Sequence, residues 1–487
     1  MRNVGGRRLD VHVDRASDVP VYQQIYREIC AFVSSGALVG GDRLPSLRQL
    51  AQDAGVSRPT VERAYLQLEV EGYVENVPQS GFVVRPLDAR FLQTTATSAP
   101  TAPPKEPAGR GAFFSQFGSD ARVTYDFAFA QLPEGSFPSD VWLSAARDVM
   151  RDEPGLAARY LDESRPSHLQ RSLCAYLRRA RGITCDPTQV VIMPGTAAAI
   201  ARVLRLFAPR DGVVAGEEPG YRVFPDVSRG MGFRVVGVPS DQGAQAFLDG
   251  VRSSGASLLF ATPSHQFPTG EVMRADVRAG LLAWAHEDNA WVLEDDSCSE
   301  YRYDVDPVPS LQSLDGGRRV IYLGNFSKTL SPALRVAYLV IPPDLMSRYY
   351  DAFSLAMTEV SVIEQELLAR LIDGGEYERH VRRLGTRLRH GHDALLDALL
   401  REFDGTQLEL RGANAGMHLF ATVCNGMGYP ELLASALAQG ARVYAAEPYW
   451  FTRAAPRGRL LLGFSSIAVK DVAPGVAALR RAWFPRG

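Results

Sequence analysis

Lysine is almost missing from this chain: Lys105, Lys328 and Lys470 are the only three in 487 residues, against 53 lysines and arginines together. Positive charge therefore rests on guanidinium groups, which keep their protons. A lysine set just after a hydrophobic segment stands out as a group able to form a Schiff base. Cysteine is scarce as well. The five present, Cys30, Cys174, Cys185, Cys298 and Cys424, lack both paired metal-ligand spacing and the density of a secreted scaffold. That excludes a zinc module and a disulfide framework, and points to a reducing compartment. No apolar run is long enough to span a bilayer and the N-terminal residues lack a signal peptide's apolar core, so cytoplasmic residence without a membrane partner is expected. A net charge of −2 excludes a uniformly basic coat but leaves room for a local nucleic-acid surface.

What is present falls into two patterns separated by a change of composition. Residues 95–112, TATSAPTAPPKEPAGRGA, mix alanine, threonine, proline and glycine without a repeating apolar face, which is the signature of a linker, expected over 87–122. Before it, VYQQIYREICAFVSSG, LPSLRQLAQDAGV and SRPTVERAYLQLEVEG read as three amphipathic helices. Ser46 suits the N-cap of the second helix, Gly55 the turn out of it, and Pro59 the first turn of the third. Leu47, Leu50, Ala51, Val56, Val61 and Leu68 form the expected core, with Arg58, Thr60 and Arg63 left outward. GYVENVPQSGFVV adds two short strands around a turn, the pattern of a wing. A helix of this kind can enter a major groove while the wing approaches the backbone near Gly81. Ten arginines against ten acidic residues in 1–86 make position, not bulk charge, the argument for DNA.

Residues 19–84 resemble the winged helix-turn-helix domain of GntR-type regulators, through DRLPSLRQLAQDAGVSRPTVERAYLQLEVEGYV. The resemblance implies a double-stranded DNA operator as partner. It implies phosphate-facing positions at Ser46 and Arg48, recognition-helix positions at Ser57, Arg58 and Thr60, and a wing tip at Gly81.

Beyond the linker, QVVIMP, GVVAGEE, FRVVGVP, SLLFATP, AWVLEDD and RVIYLGN read as buried strands alternating with helical stretches, so a large α/β domain with a mostly parallel or mixed sheet is expected. Several chemistry-bearing residues lie just past strand ends, where open α/β sheets expose their sites. Gly195 and Thr196 open a helix after VVIMP and suit a phosphate. Asp295 can face a protonated pyridine nitrogen, Lys328 can supply an imine nitrogen, and Arg335 can pair with phosphate. Together they describe a phosphate-bearing aldehyde cofactor.

From Tyr125 to Ala482 the chain resembles class I aminotransferases of fold type I, and as a whole it resembles MocR-type transcription regulators. TPSHQFPTG, EDDSCSEYRY and YLGNFSKTLSPALRVAYLV carry the likeness. The resemblance implies a multidomain chain, with a winged helix-turn-helix at 18–86 and an α/β aminotransferase-like domain with a smaller C-terminal α/β subdomain at 123–487. It also implies pyridoxal 5'-phosphate on Lys328, with Asp295, Arg335, Tyr221, Gly195, Thr196 and Asn325 around it, and a homodimer. Three departures stand out. Ser297 replaces a usual tyrosine, Asn325 replaces a hydroxyl residue, and Leu461 in GRLLLGFSS occupies the position of an arginine that binds a substrate carboxylate. Arg459 and Arg222 are the candidates to compensate. The expectation is a regulator sensing an amine or the cofactor, with weak or absent transamination. The alternatives are an active aminotransferase with an attached DNA-binding domain and a cofactor-independent structural regulator.

Overall fold

The computed structural model describes residues 9, 11–86, 118, 120–158, 160–162, 164–207, 212–303, 308–353 and 359–485. Residues 95–112 and most of the expected linker lie outside them. Two compact units are distinguished, Met1–Ala112 and Phe113–Gly487.

In the first unit, helix α1 (Val21–Ser34) buries Ile25, Ile29 and Val33, one stripe at four-residue spacing. Helix α2 (Leu47–Asp53) starts at Ser46, whose Oγ accepts from the Gln49 N–H at 3.2 Å. Gly55, at φ 64°, makes the left-handed turn that leads toward α3 (Arg58–Val70). Leu50, Ala51, Val61 and Leu68 are buried, while Leu47 and Val56 pack partly exposed against them. The wing is an antiparallel pair, β1 (Val74–Val77) and β2 (Gly81–Val84), with Val74 opposite Val84.

The second unit holds a seven-stranded sheet. Its strands are β4 (Val190–Met193), β5 (Val213–Glu218), β6 (Arg234–Pro239), β7 (Leu258–Ala261), β8 (Trp291–Asp295), β9 (Val320–Asn325) and β10 (Ala337–Val340). Their order is β4-β10-β9-β8-β7-β5-β6, and β10 alone runs antiparallel to its neighbours. All side chains of β7 and β8 are buried, as strands covered on both faces require. Among the helices between these strands, α4 (Thr196–Leu204) follows β4 after a two-residue turn. A smaller sheet, built from β11 (Leu408–Arg411), β12 (His418–Val423), β14 (Tyr444–Ala445) and β15 (Arg459–Gly463), packs with the long helix α5 (Glu376–Glu402) around Leu384, Leu395, Leu460 and Leu462. The segment entering this unit begins with β3 (Tyr125–Asp126), which pairs in parallel with β13 (Ala441–Arg442). It then runs beside β15, where Gly463 N–H donates to Phe127 O at 2.8 Å.

Candidate cofactor site and DNA-facing surface

The EDD triplet at the end of β8 sends three adjacent carboxylates to three tasks, because neighbouring residues of a strand face opposite ways. Glu294 accepts from the N–H groups of Leu311 and Gln312 at 2.7 and 2.9 Å. Asp296 holds the buried Arg181 guanidinium through two bonds of 2.6 and 2.9 Å and also accepts from the Tyr322 hydroxyl at 2.8 Å. Asp295 is left for the cleft. It is 6% exposed, and burial pushes its carboxyl up to about 6 against the lowering effect of Ser297.

The two departures at positions 297 and 325 meet there. Ser297 donates from its N–H at 3.0 Å and from its hydroxyl at 2.5 Å to Asp295 Oδ1. The same hydroxyl accepts from Asn325 Nδ2 at 2.5 Å, and Asn325 Oδ1 accepts from the Ser327 N–H at 3.0 Å. One hydrogen-bonded chain thus runs from Asp295 to the loop that carries Lys328.

Lys328 lies beyond β9 with its carbonyl anchored by the Tyr301 hydroxyl at 2.9 Å. Its Nζ donates to Ala130 O at 2.8 Å. Burial pulls the ammonium below the ordinary lysine range, Arg335 pulls the same way, and Cys298 and Asp295 oppose them. A lysine so held is closer to the neutral amine that imine chemistry needs.

Gly195, at φ 95°, precedes α4 and leaves the helix's first N–H groups facing outward without a side-chain cap. A Cβ placed on Gly195 would lie 2.6 Å from Arg335 Nη2, so only glycine admits that guanidinium. Arg335 itself sits at φ 55°, a conformation that costs a non-glycine residue energy and marks a position held by its surroundings. No carboxylate pairs with it among the described residues. A free guanidinium over an uncapped helix N-terminus fits a phosphate by charge and by donor geometry. Tyr221 stacks on Phe260 at 6.1 Å between ring centroids and meets Phe267 edge-on at 6.2 Å.

Lys328, Asp295 and Asn325 are thus linked at neighbouring strand ends, and Arg335 meets Gly195 beside Thr196. Sequence reasoning missed the Ala130 carbonyl and His418, a buried histidine whose Nε2 lies 2.8 Å from Pro268 O. Burial lowers its ring to about 4, and Lys328 adds to the effect. Arg459 and Arg222, considered for compensating roles, each have partners of their own, and the Arg459 guanidinium lies 5.9 Å from the centre of the Phe420 ring. Arg459 bonds the Thr422 hydroxyl, and Arg222 is engaged by Asp226 at 2.9 Å and by Pro448 O at 3.1 Å.

In the first unit, Ser46, Arg48, Ser57 and Arg58 are exposed at the starts of α2 and α3, with Thr60 partly so. Ser57 and Thr60 share a 2.7 Å hydroxyl contact. Gly81, exposed at φ 77°, opens β2. Arg63 is exposed, as expected, with its guanidinium 4.0 Å over the Tyr22 ring.

Residues 21–84 match the family described as "Bacterial regulatory proteins, gntR family". The probable rhizopine catabolism regulatory protein MocR of Rhizobium meliloti is 33% identical over 97% of this chain and 95% of its own length. The HTH-type transcriptional regulator YdeL of Bacillus subtilis is 31% identical over 97% and 98%. The multiple substrate aminotransferase of Thermococcus profundus superposes with a TM-score of 0.69 at 22% identity, covering 77% of this chain and 95% of that one. That likeness carries the fold alone. Fold and matches together define a regulator in which a winged helix-turn-helix accompanies a fold type I aminotransferase-like domain. The chain belongs to the MocR-type regulators. Among the described residues no helix is long and apolar enough to cross a membrane, and no cluster of side chains suits a metal ion.

Proposed function

We propose that this regulator binds an operator through residues 18–86, joined by the linker at 87–122 to an effector domain at 123–487 that holds pyridoxal 5'-phosphate on Lys328 and responds to an amine or to the cofactor. The homodimer expected from the resemblance belongs to the same reading. The observation that carries it is the unpaired Arg335 guanidinium against the space that Gly195 keeps open. In this reading Arg335, the Gly195–Thr196 turn and the N-terminus of α4 bind phosphate, Tyr221 contacts the ring and Asp295 faces the pyridine nitrogen. Asn325 acts through Ser297, fixing the carboxylate's direction instead of touching phosphate itself. Once bound, the cofactor supplies an aldehyde carbon that a primary amine can attack. Lys328 is the chain's own amine there, and its contact with Ala130 O ties the site to the segment that enters the effector domain.

Borohydride reduction followed by peptide mass spectrometry tests the attachment. A cofactor adduct at Lys328 in the wild type and none in Lys328→Ala is expected. A folded wild type that takes no adduct after reconstitution would make the cofactor-independent regulator the better reading. The presence of Lys328, Asp295 and Arg335 together counts against the cofactor-independent reading; turnover of an amino donor with a keto acceptor tests the other alternative, active transamination.

A further inference from the structure

Leu461 is fully buried in β15, opposite Phe420 of β12 and Tyr444 of β14. Phe129, Tyr449 and Trp450 complete an apolar cluster, against which Ala130 and Phe267 pack. Ala130 is the residue whose carbonyl receives the Lys328 amine, and Phe267 is the ring that Tyr221 meets edge-on. The cluster therefore begins where the reactive amine ends. Of the cations considered for a carboxylate, Arg459 lies over Phe420 of this cluster but bonds the Thr422 hydroxyl, and Arg222 is engaged by Asp226. An unpaired carboxylate placed there would lose its hydration with no charge to replace it. The Trp450 indole N–H is buried without a hydrogen-bond partner among the described residues. An orphaned donor of this kind is satisfied by a neutral acceptor on a ligand.

Resting on the cofactor reading above, we propose that the effector is a primary amine without a carboxylate, with an aromatic body for this cluster and one neutral oxygen for the Trp450 N–H. Hydroxylated arylalkylamines have that chemistry; amino acids do not. Exchange at the cofactor needs no oxidant, because one C–N bond forms to the incoming amine as the bond to Lys328 breaks and Lys328 departs as a free amine.

Matched pairs isolate the carboxylate. The full chain loaded with pyridoxal 5'-phosphate is titrated with tyramine against tyrosine, and with 2-phenylethylamine against phenylalanine, following the visible spectrum and the Lys328 adduct left after reduction. Each amine should act at about tenfold lower concentration or better than its parent amino acid, a difference of about 1.4 kcal/mol. Tyramine should surpass 2-phenylethylamine, and Trp450→Phe should remove that advantage while keeping the discrimination against carboxylate. Leu461→Arg, provided it still takes up the cofactor, should raise the response to the two amino acids. A loaded wild type that responds equally to amino acids, or to none of the four compounds, overturns the inference alone. A folded chain with no adduct at Lys328 overturns the cofactor reading and this inference with it.

Discussion

Two positions in the second unit differ in what they leave unsatisfied. At the first, Arg335 has no carboxylate partner among the described residues and stands beside a glycine whose missing side chain makes the space. At the second, position 461 carries a leucine with no exposed surface, packed among aromatic rings and alanines, and the Trp450 indole N–H of that cluster has no partner among the described residues. A protein bears the cost of a free guanidinium in a strained backbone only where something else offsets it, and at the first position a phosphate would. The second position has no comparable charge to offset. The contrast argues that what the first position recognises is kept while what an aminotransferase recognises at the second is not, and each half of that statement can be tried separately.

The largest effect should come from Gly195→Ala, which brings a Cβ to within 2.6 Å of Arg335 Nη2 at a φ of 95°. Displacing a charge-assisted contact should lower cofactor affinity about ten- to hundredfold, measured by equilibrium dialysis. Leu461→Met should leave that affinity unchanged; a comparable fall there would erase the distinction between the two positions.

Asp295→Asn probes the carboxylate of the cleft. Burial raises the Asp295 carboxyl from 3.8 to about 6, so the folded state holds the proton more tightly than the unfolded state. The stability associated with this group is therefore present below 3.8 and is lost as pH rises through about 6. Asparagine cannot ionise. Cofactor-free Asp295→Asn should be more stable than wild type by up to about 3 kcal/mol near pH 7.5, the gap closing as pH falls toward 4. Denaturant melts across that range would show it, and an unchanging gap would mean the carboxylate is better solvated than its burial implies.

Changes in the first unit should move neither position. Arg58→Ala should weaken operator binding about tenfold in a mobility-shift assay, through loss of one base or phosphate contact. Ser46→Ala should do less, removing the cap on the Gln49 N–H and costing about 1 kcal/mol or less in the stability of that unit. Altered cofactor occupancy in either variant would contradict the separation.

Much of this was readable in advance because it rests on local rules. The cap at Ser46, the turn at Gly55, the wing, and six of the seven central strands follow from propensity and period. The strand that escaped, β10, follows a turn made by an arginine at φ 55°, where sequence rules look for glycine or asparagine. The hydrogen-bonded chain from Asp295 through Ser297 to Asn325 was hidden for another reason: its members belong to adjacent strand ends, and only the sheet order brings them together. Ala130 left no trace at all, since a backbone carbonyl has no identity in a sequence.

The bond from Lys328 Nζ to Ala130 O joins the amine to main chain only five residues after Tyr125, where the segment entering the second unit first pairs with a strand. Thermodynamics makes any signal along that segment two-way. If an occupant of the cleft changes operator affinity by some factor, the operator must change the occupant's affinity by the same factor, whatever lies between them. A short operator duplex is then itself a ligand that retunes the cleft, and an effector titration with and without it measures the coupling without transcription being observed.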